Sequence, residues 1–191
     1  MKNIVLIGMP GAGKSTVGVV LAKSLGFTFI DSDLVIQQQT GKLLHELIST
    51  HGVEGFWQIE SDVNASLQVE KAVIATGGSV CYEPEAMGHL SKIGTVVYLK
   101  LSYEEIEDRL GDLNARGVTM RQGQTLRDLY LERTPLYEKY AHITVECDAL
   151  KIREIVAKIV SLTTDGAGKS EADVAAGQAL MKNAKGGNRH E

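Results

Sequence analysis

The segment Gly8-Met9-Pro10-Gly11-Ala12-Gly13-Lys14-Ser15-Thr16 carries the strongest chemical signal in the chain. It satisfies G-x-x-x-x-G-K-[ST], the pattern of a loop that wraps phosphate groups. The glycines let consecutive backbone N–H groups turn inward on phosphate oxygens. A helix starting at the end of the loop adds positive potential. Lys14 would reach the β- and γ-phosphates, and Ser15 would ligate Mg²⁺. Gly11, Ala12, Gly13, Lys14, Ser15 and Thr16 are therefore candidates for holding a nucleotide. A second group, Asp31-Ser32-Asp33, puts two carboxylates two residues apart. Such a pair can divide labour, with Asp31 at the magnesium shell and Asp33 orienting and deprotonating an acceptor hydroxyl. Either aspartate could instead cap a helix. A third, Thr76-Gly77-Gly78-Ser79, has adjacent glycines that suit close approach of backbone to a ligand, although an ordinary turn also uses them.

These groups need elements to position them. Ile4–Ile7 reads as a buried strand running into the phosphate loop, and Val17, Val20, Leu21 and Leu25 share one face of the helix that follows. Phe27–Ile30 is a second strand, which puts Asp31 and Asp33 at its carboxyl end. Residues 34–69 read as mostly helical, interrupted at Gly41 and Gly52. Ala72–Ala75, Thr95–Leu99 and Ile143–Glu146 are further short β runs. Ser102 with Glu105 fits a capping box ahead of a helix over 103–111. Residues 112–124 are polar and contain glycine, which predicts a loop. Leu126 to Tyr140 is helical in pattern, and Pro135 is expected to bend or break it. Ile152, Ile155, Val156, Ile159 and Val160 form the stripe of a closing amphipathic helix. Strands alternating with helices predict an α/β fold with a parallel sheet covered on both faces. Ligands then gather at the carboxyl ends of the strands.

The chain has 191 residues, enough for one domain. A net charge of −4 argues against a broadly basic surface for nucleic acid. No run approaches a membrane span, and Cys81 and Cys147 are too few for a disulfide framework, so a cytoplasmic protein is expected. Past residue 163 the larger apolar groups thin out to Val174, Leu180 and Met181. Residues 1–163 are therefore expected to fold and 164–191 to form a flexible tail. A second Gly-Ala-Gly-Lys-Ser, at 166–170, lacks the preceding strand and has Thr163 where the pattern needs glycine, so it is not a phosphate site. The five histidines show no metal-ligand spacing. No Asn-Lys-x-Asp motif for guanine recognition is present, and the chain is too short for a motor. A small kinase remains.

The sequence resembles the shikimate kinase family of small phosphate-loop kinases over about residues 1–162. The resemblance rests on the phosphate loop, Asp31-x-Asp33, Phe56-x-x-x-Glu60, Thr76-Gly77-Gly78, Asp108-Arg109-Leu110, Arg116 and Arg133-Thr134-Pro135-Leu136-Tyr137. It implies a three-layer phosphate-loop kinase fold with a five-stranded parallel sheet of order 2-3-1-4-5, a lid over about 112–124, and ATP with Mg²⁺ as phosphoryl donor. It also implies that Asp33 and the Gly77–Gly78 turn hold the hydroxylated acceptor and that Arg133 grips its carboxylate. Arg116 would close over the phosphates, and Arg109 would pack against adenine. The expected partners are ATP and a small hydroxylated acceptor, with no nucleic acid or membrane, and the chain is expected to act as a monomer.

The chain parts from the family's pattern at three places. Trp57 stands where the family has an arginine that helps clamp the carboxylate, Ser79 replaces a third glycine, and Arg116-Gly117-Val118-Thr119 replaces Arg-Pro-Leu-Leu. Trp57 is a candidate to stack on a ring or polyol in the acceptor site, or is a core aromatic on its helix. If the acceptor is shikimate, yielding shikimate 3-phosphate, Trp57→Arg should restore a second fork and lower the Michaelis constant. If it is an uncharged polyol, the same change should abolish activity on it and leave shikimate unphosphorylated; a kinase for another hydroxy acid is a further alternative. A nucleotide-binding module without acceptor activity is the reading from another class. A nucleoside monophosphate kinase is disfavoured, since Thr76–Ser79 does not resemble the Asp-Gly-Phe-Pro-Arg stretch of those enzymes.

Overall fold

The computed structural model describes residues 2–110 and 119–165. Its elements are β1 (Asn3–Ile7), α1 (Lys14–Leu25), β2 (Thr28–Asp31), α2 (Ser32–Thr40), α3 (Leu44–Ser66), β3 (Ala72–Ala75), α4 (Pro84–Ile93), β4 (Gly94–Lys100), α5 (Tyr103–Leu110), α6 (Leu126–Tyr140), β5 (Ile143–Glu146) and α7 (Ile152–Asp165). The strands pair in the order β2-β3-β1-β4-β5, every neighbour parallel. This is the expected sheet. Every residue of β1 and β3 is buried, which requires cover on both faces and explains why these strands read as uninterrupted apolar runs. In register, Asp31 lies opposite Ala75, and Ala75 opposite Leu6. The carboxyl ends of β2, β3 and β1 are therefore level, and they deliver the aspartate pair, the Thr76–Ser79 turn and the phosphate loop to one edge of the sheet.

The two helical interruptions fall at Gly41 and Gly52. Gly41 ends α2 with φ 66, and Gly52 kinks α3 with φ 72 and ψ 178, a conformation that glycine adopts without a Cβ penalty. The structure adds to the sequence reading at three places. Pro135 neither breaks nor ends α6. Leu129, Arg133 and Tyr137, four apart, are all buried on one face of that helix, and the bonds of Arg133 and Tyr137 to neighbouring segments hold it where the backbone bond is lost. Residues 84–93, given no element from the sequence, form α4. Pro84 starts it, and Ala86, Met87 and Leu90 are its buried stripe. α7 runs to Asp165, two residues beyond the boundary expected at 163. Nearly all of the expected tail, including Gly-Ala-Gly-Lys-Ser at 166–170, lies outside the described residues, as does the lid up to residue 118. No helix among the described residues is long and apolar enough to cross a membrane.

Candidate functional site

A cavity of about 530 Å³ opens at the level strand ends, lined by Lys14, Ser15, Asp33, Glu60, Gly77 and Arg133 among others. The phosphate loop forms one side. Gly11 and Gly13 take φ 81 and 86, the turn that lets backbone N–H groups face inward. Lys14 is buried and folds its ammonium back onto the loop, donating to the carbonyls of Gly8 at 2.8 Å and Met9 at 3.0 Å. Burial draws its pKa down to about 8, against the raising influence of Asp33. Phosphate oxygens arriving beside it would favour the charged form again.

Asp31 does two jobs. Its Oδ1 accepts from the backbone N–H of Asp33 at 3.1 Å and so caps α2, while its Oδ2 accepts from Ser15 Oγ at 2.7 Å. The cap leaves Asp33 in the first turn of α2, lining the cavity. Burial, reinforced by the charge of Asp31, holds the Asp33 carboxyl above its ordinary value of 3.8, and Lys14 opposes them. A carboxylate so raised is the better proton acceptor.

The Thr76–Ser79 turn forms the adjoining wall, with Gly78 against Pro10 of the loop. Gly77 and Gly78 are there for space rather than for backbone angle. A Cβ on Gly77 would overlap Glu60 Oε1 and stand 3.1 Å from Asp33 Oδ1. One on Gly78 would meet Pro10 Cδ at 2.9 Å and Arg133 Nη1 at 3.0 Å. The Gly78 carbonyl accepts the Tyr137 hydroxyl at 2.6 Å, which ties the turn to α6.

Arg133 is 0% exposed. Its Nε donates to Tyr82 Oη at 3.1 Å and its Nη2 to the Thr119 carbonyl at 2.9 Å. Its Nη1 has no partner. A buried cation with a free N–H pair at a cavity wall calls for an anion. Arg109, on α5, pairs with Glu105 at 3.3 Å and lines both this cavity and a neighbouring one of about 430 Å³ with Gly13, Thr16, Leu150 and Ile155. Gly13 and Thr16, like Arg109, line both spaces. Arg116 lies outside the described residues.

Trp57 is not among the residues that line either cavity. Its neighbour Phe56 lines the main one, and successive helical residues point about 100° apart. Trp57 is 6% exposed and belongs to a second apolar cluster with Ile36, Leu47, Phe56 and Val63. It packs on Tyr82 with ring centroids 4.3 Å apart, and the Arg121 guanidinium lies 5.0 Å above it. It therefore braces the tyrosine that orients Arg133.

The sequence assigned no role to Glu60, Ser79, Tyr82 or Thr119. Glu60 is 1% exposed, accepts from Ser79 Oγ at 2.5 Å through Oε2, and has no partner at Oε1. Burial above all, helped by Asp33, raises its carboxyl to about 7, against Ser79, Arg133 and Lys14. The signals for these residues were Glu60 in the Phe56-x-x-x-Glu60 motif and the departures at Ser79 and in the stretch ending at Thr119, none of which told what the side chains touch.

The family model described as shikimate kinase matches residues 10–164. A shikimate kinase of Francisella tularensis subsp. novicida is 40% identical over 162 residues, 83% of this chain and 92% of that protein. Among solved structures, a shikimate kinase from Acinetobacter baumannii in complex with shikimate superposes with a TM-score of 0.80 at 34% identity, covering 88% of this chain and 96% of that one. A shikimate kinase from Aquifex aeolicus does so with a TM-score of 0.70 at 29% identity, covering 87% and 99%.

Proposed function

Since the chain belongs to the shikimate kinase family, we propose that it transfers the γ-phosphoryl group of ATP to the 3-hydroxyl of shikimate. One observation carries the reading. A buried ammonium, a carboxylate with raised pKa and an unpartnered guanidinium nitrogen, on Lys14, Asp33 and Arg133, face a single cavity from three elements. They match in turn a transferring phosphate, a hydroxyl losing its proton, and a carboxylate.

The loop amides and Lys14 hold the β- and γ-phosphates and spread the charge that builds on the transferring group. Asp33 accepts the hydroxyl proton as the new O–P bond forms and ADP departs. Arg133 Nη1 takes the carboxylate and sets which hydroxyl reaches the phosphorus. Arg109 suits one side of adenine in the neighbouring space, whose apolar wall is Leu150, Ile152 and Ile155. Arg116 would add a further cation near the phosphates. A divalent cation also fits. Ser15 Oγ and Asp31 Oδ2 are hard oxygens 2.7 Å apart beside the loop, and Mg²⁺ takes one or two such groups together with phosphate oxygens and water. When bound it would neutralise phosphate charge.

An uncharged polyol would leave Arg133 Nη1 without an anion, so the acceptor with a carboxylate is preferred. All these groups come from one copy of the chain, which is consistent with a monomer, and dependence on ATP suits a cytoplasmic setting. A coupled ADP-release assay over hydroxy acids, polyols and nucleotides tests the reading. Turnover dependent on shikimate is expected. Its absence at millimolar shikimate, with turnover on another acceptor, would overturn it.

A further inference from the structure

Arg133 meets its acceptor with one nitrogen. Nε is committed to Tyr82 and Nη2 to the Thr119 carbonyl, which leaves Nη1 alone. The two parallel N–H···O bonds of a fork on a carboxylate need two nitrogens. A carboxylate seated on Nη1 therefore has an oxygen still in need of a donor.

Thr119 stands beside that guanidinium, 9% exposed, and lines the same cavity. Its hydroxyl holds only long contacts. It accepts from Arg133 Nη2 at 3.4 Å and donates to Ser79 Oγ at 3.4 Å. Neither partner depends on it. Nη2 already has the Thr119 carbonyl at 2.9 Å, and Ser79 has committed its own proton to Glu60 at 2.5 Å. A hydroxyl turns freely about its C–O bond, and a carboxylate oxygen is a far better acceptor than a serine oxygen at that distance. Trp57 does not line the cavity, so its indole N–H is not placed to supply the missing bond.

We infer that Thr119 is a specificity-determining residue of the acceptor site, donating its hydroxyl to the carboxylate oxygen that Arg133 Nη1 leaves unpaired. The inference rests on the acceptor reading above. It makes recognition of the anion the joint work of α6 and the segment that precedes it. Ser79 and Glu60 line the same cavity beside Thr119, joined to it through the Ser79 hydroxyl.

The test is to measure shikimate binding by calorimetry, and steady-state kinetics at saturating ATP, for the parent protein, Thr119→Val and Thr119→Ser. Shikimate and its methyl ester serve as acceptors. Removing one charge-assisted bond should raise Kd and KM for shikimate by about ten-fold in Thr119→Val. The value of kcat and the KM for ATP should stay within about two-fold, and Thr119→Ser should recover most of the loss. The ester, lacking the anion, should differ less than about two-fold between parent and valine variant. Equal shikimate affinity in parent and Thr119→Val would overturn the inference, as would an equal loss for acid and ester. A parent protein that binds no shikimate at all would instead overturn the acceptor reading itself.

Discussion

Glu60 allows a quantitative test of how the acceptor wall is built. Its carboxyl is buried, bonded through one oxygen to Ser79 and unpartnered at the other. Burial raises it from an ordinary 4.5 to about 7 in the folded chain. Between those values the folded protein keeps a proton that the unfolded chain releases, so the stability this group contributes is fully present below about pH 4.5 and is lost as pH rises through 7. A difference of 7 − 4.5 = 2.5 units corresponds to about 3 kcal/mol at full effect. Between about pH 5 and about pH 8 the change is about 2.5 kcal/mol, because part of the shift is already felt at the lower pH.

Glu60→Gln removes the titration and keeps an amide oxygen to accept from Ser79. The expected outcome is a difference in stability between variant and parent that moves in favour of glutamine by about 2.5 kcal/mol across that range. For a folded unit of this size that is roughly 5–10 °C in relative Tm. Urea unfolding of both proteins at several pH values measures it, and only the slope of the difference matters, so a constant cost of the substitution does not disturb the reading. Parallel pH profiles for the two proteins would refute the claim that Glu60 is buried with a raised pKa.

Other outcomes follow from the same geometry. Lys14→Ala should lower turnover by at least ~10²-fold with little change in Tm, since it removes charge from the transferring phosphate; ATP consumption and a melting curve check both. Gly77→Ala should reduce shikimate-dependent turnover by ~10²-fold or more, because the new methyl overlaps the Glu60 carboxyl and crowds that of Asp33; the assay is ADP release with a melting curve as control. Trp57→Arg should raise the Michaelis constant for shikimate and destabilise the fold by roughly 3 kcal/mol, since it strips an aromatic from a buried cluster and places a second guanidinium beneath Arg121. This reverses the outcome that the sequence pattern alone suggests, and steady-state kinetics with thermal melts decide between the two.

What could be read from the sequence, and what could not, divides along a physical line. The phosphate loop and the buried strands were legible because each is specified by residues adjacent in the chain. Glycines at fixed offsets set the loop, and uninterrupted apolar runs set strands covered on both faces. The Asp31–Asp33 pair was legible for the same reason, and its two proposed roles for Asp31 turn out to be compatible, since one oxygen caps α2 while the other meets Ser15. Pro135 misled because helix-breaking is a local cost, and local costs are overridden by tertiary bonds such as Tyr137 to Gly78. α4 was missed because its buried stripe is only Ala86, Met87 and Leu90. Trp57 shows the limit most clearly. Its position in the pattern assigned it to the acceptor, but its side chain is turned by the packing of Tyr82, twenty-five residues on, and of Arg121 beyond. The same holds for Arg133. Its presence was legible, yet which of its nitrogens is free depends on Tyr82 and Thr119, residues brought to it only by the fold. On the proposed function, specificity in this site resides in how a few donors are shared out among distant partners, and a substitution at one of those partners is expected to change recognition without touching the acceptor.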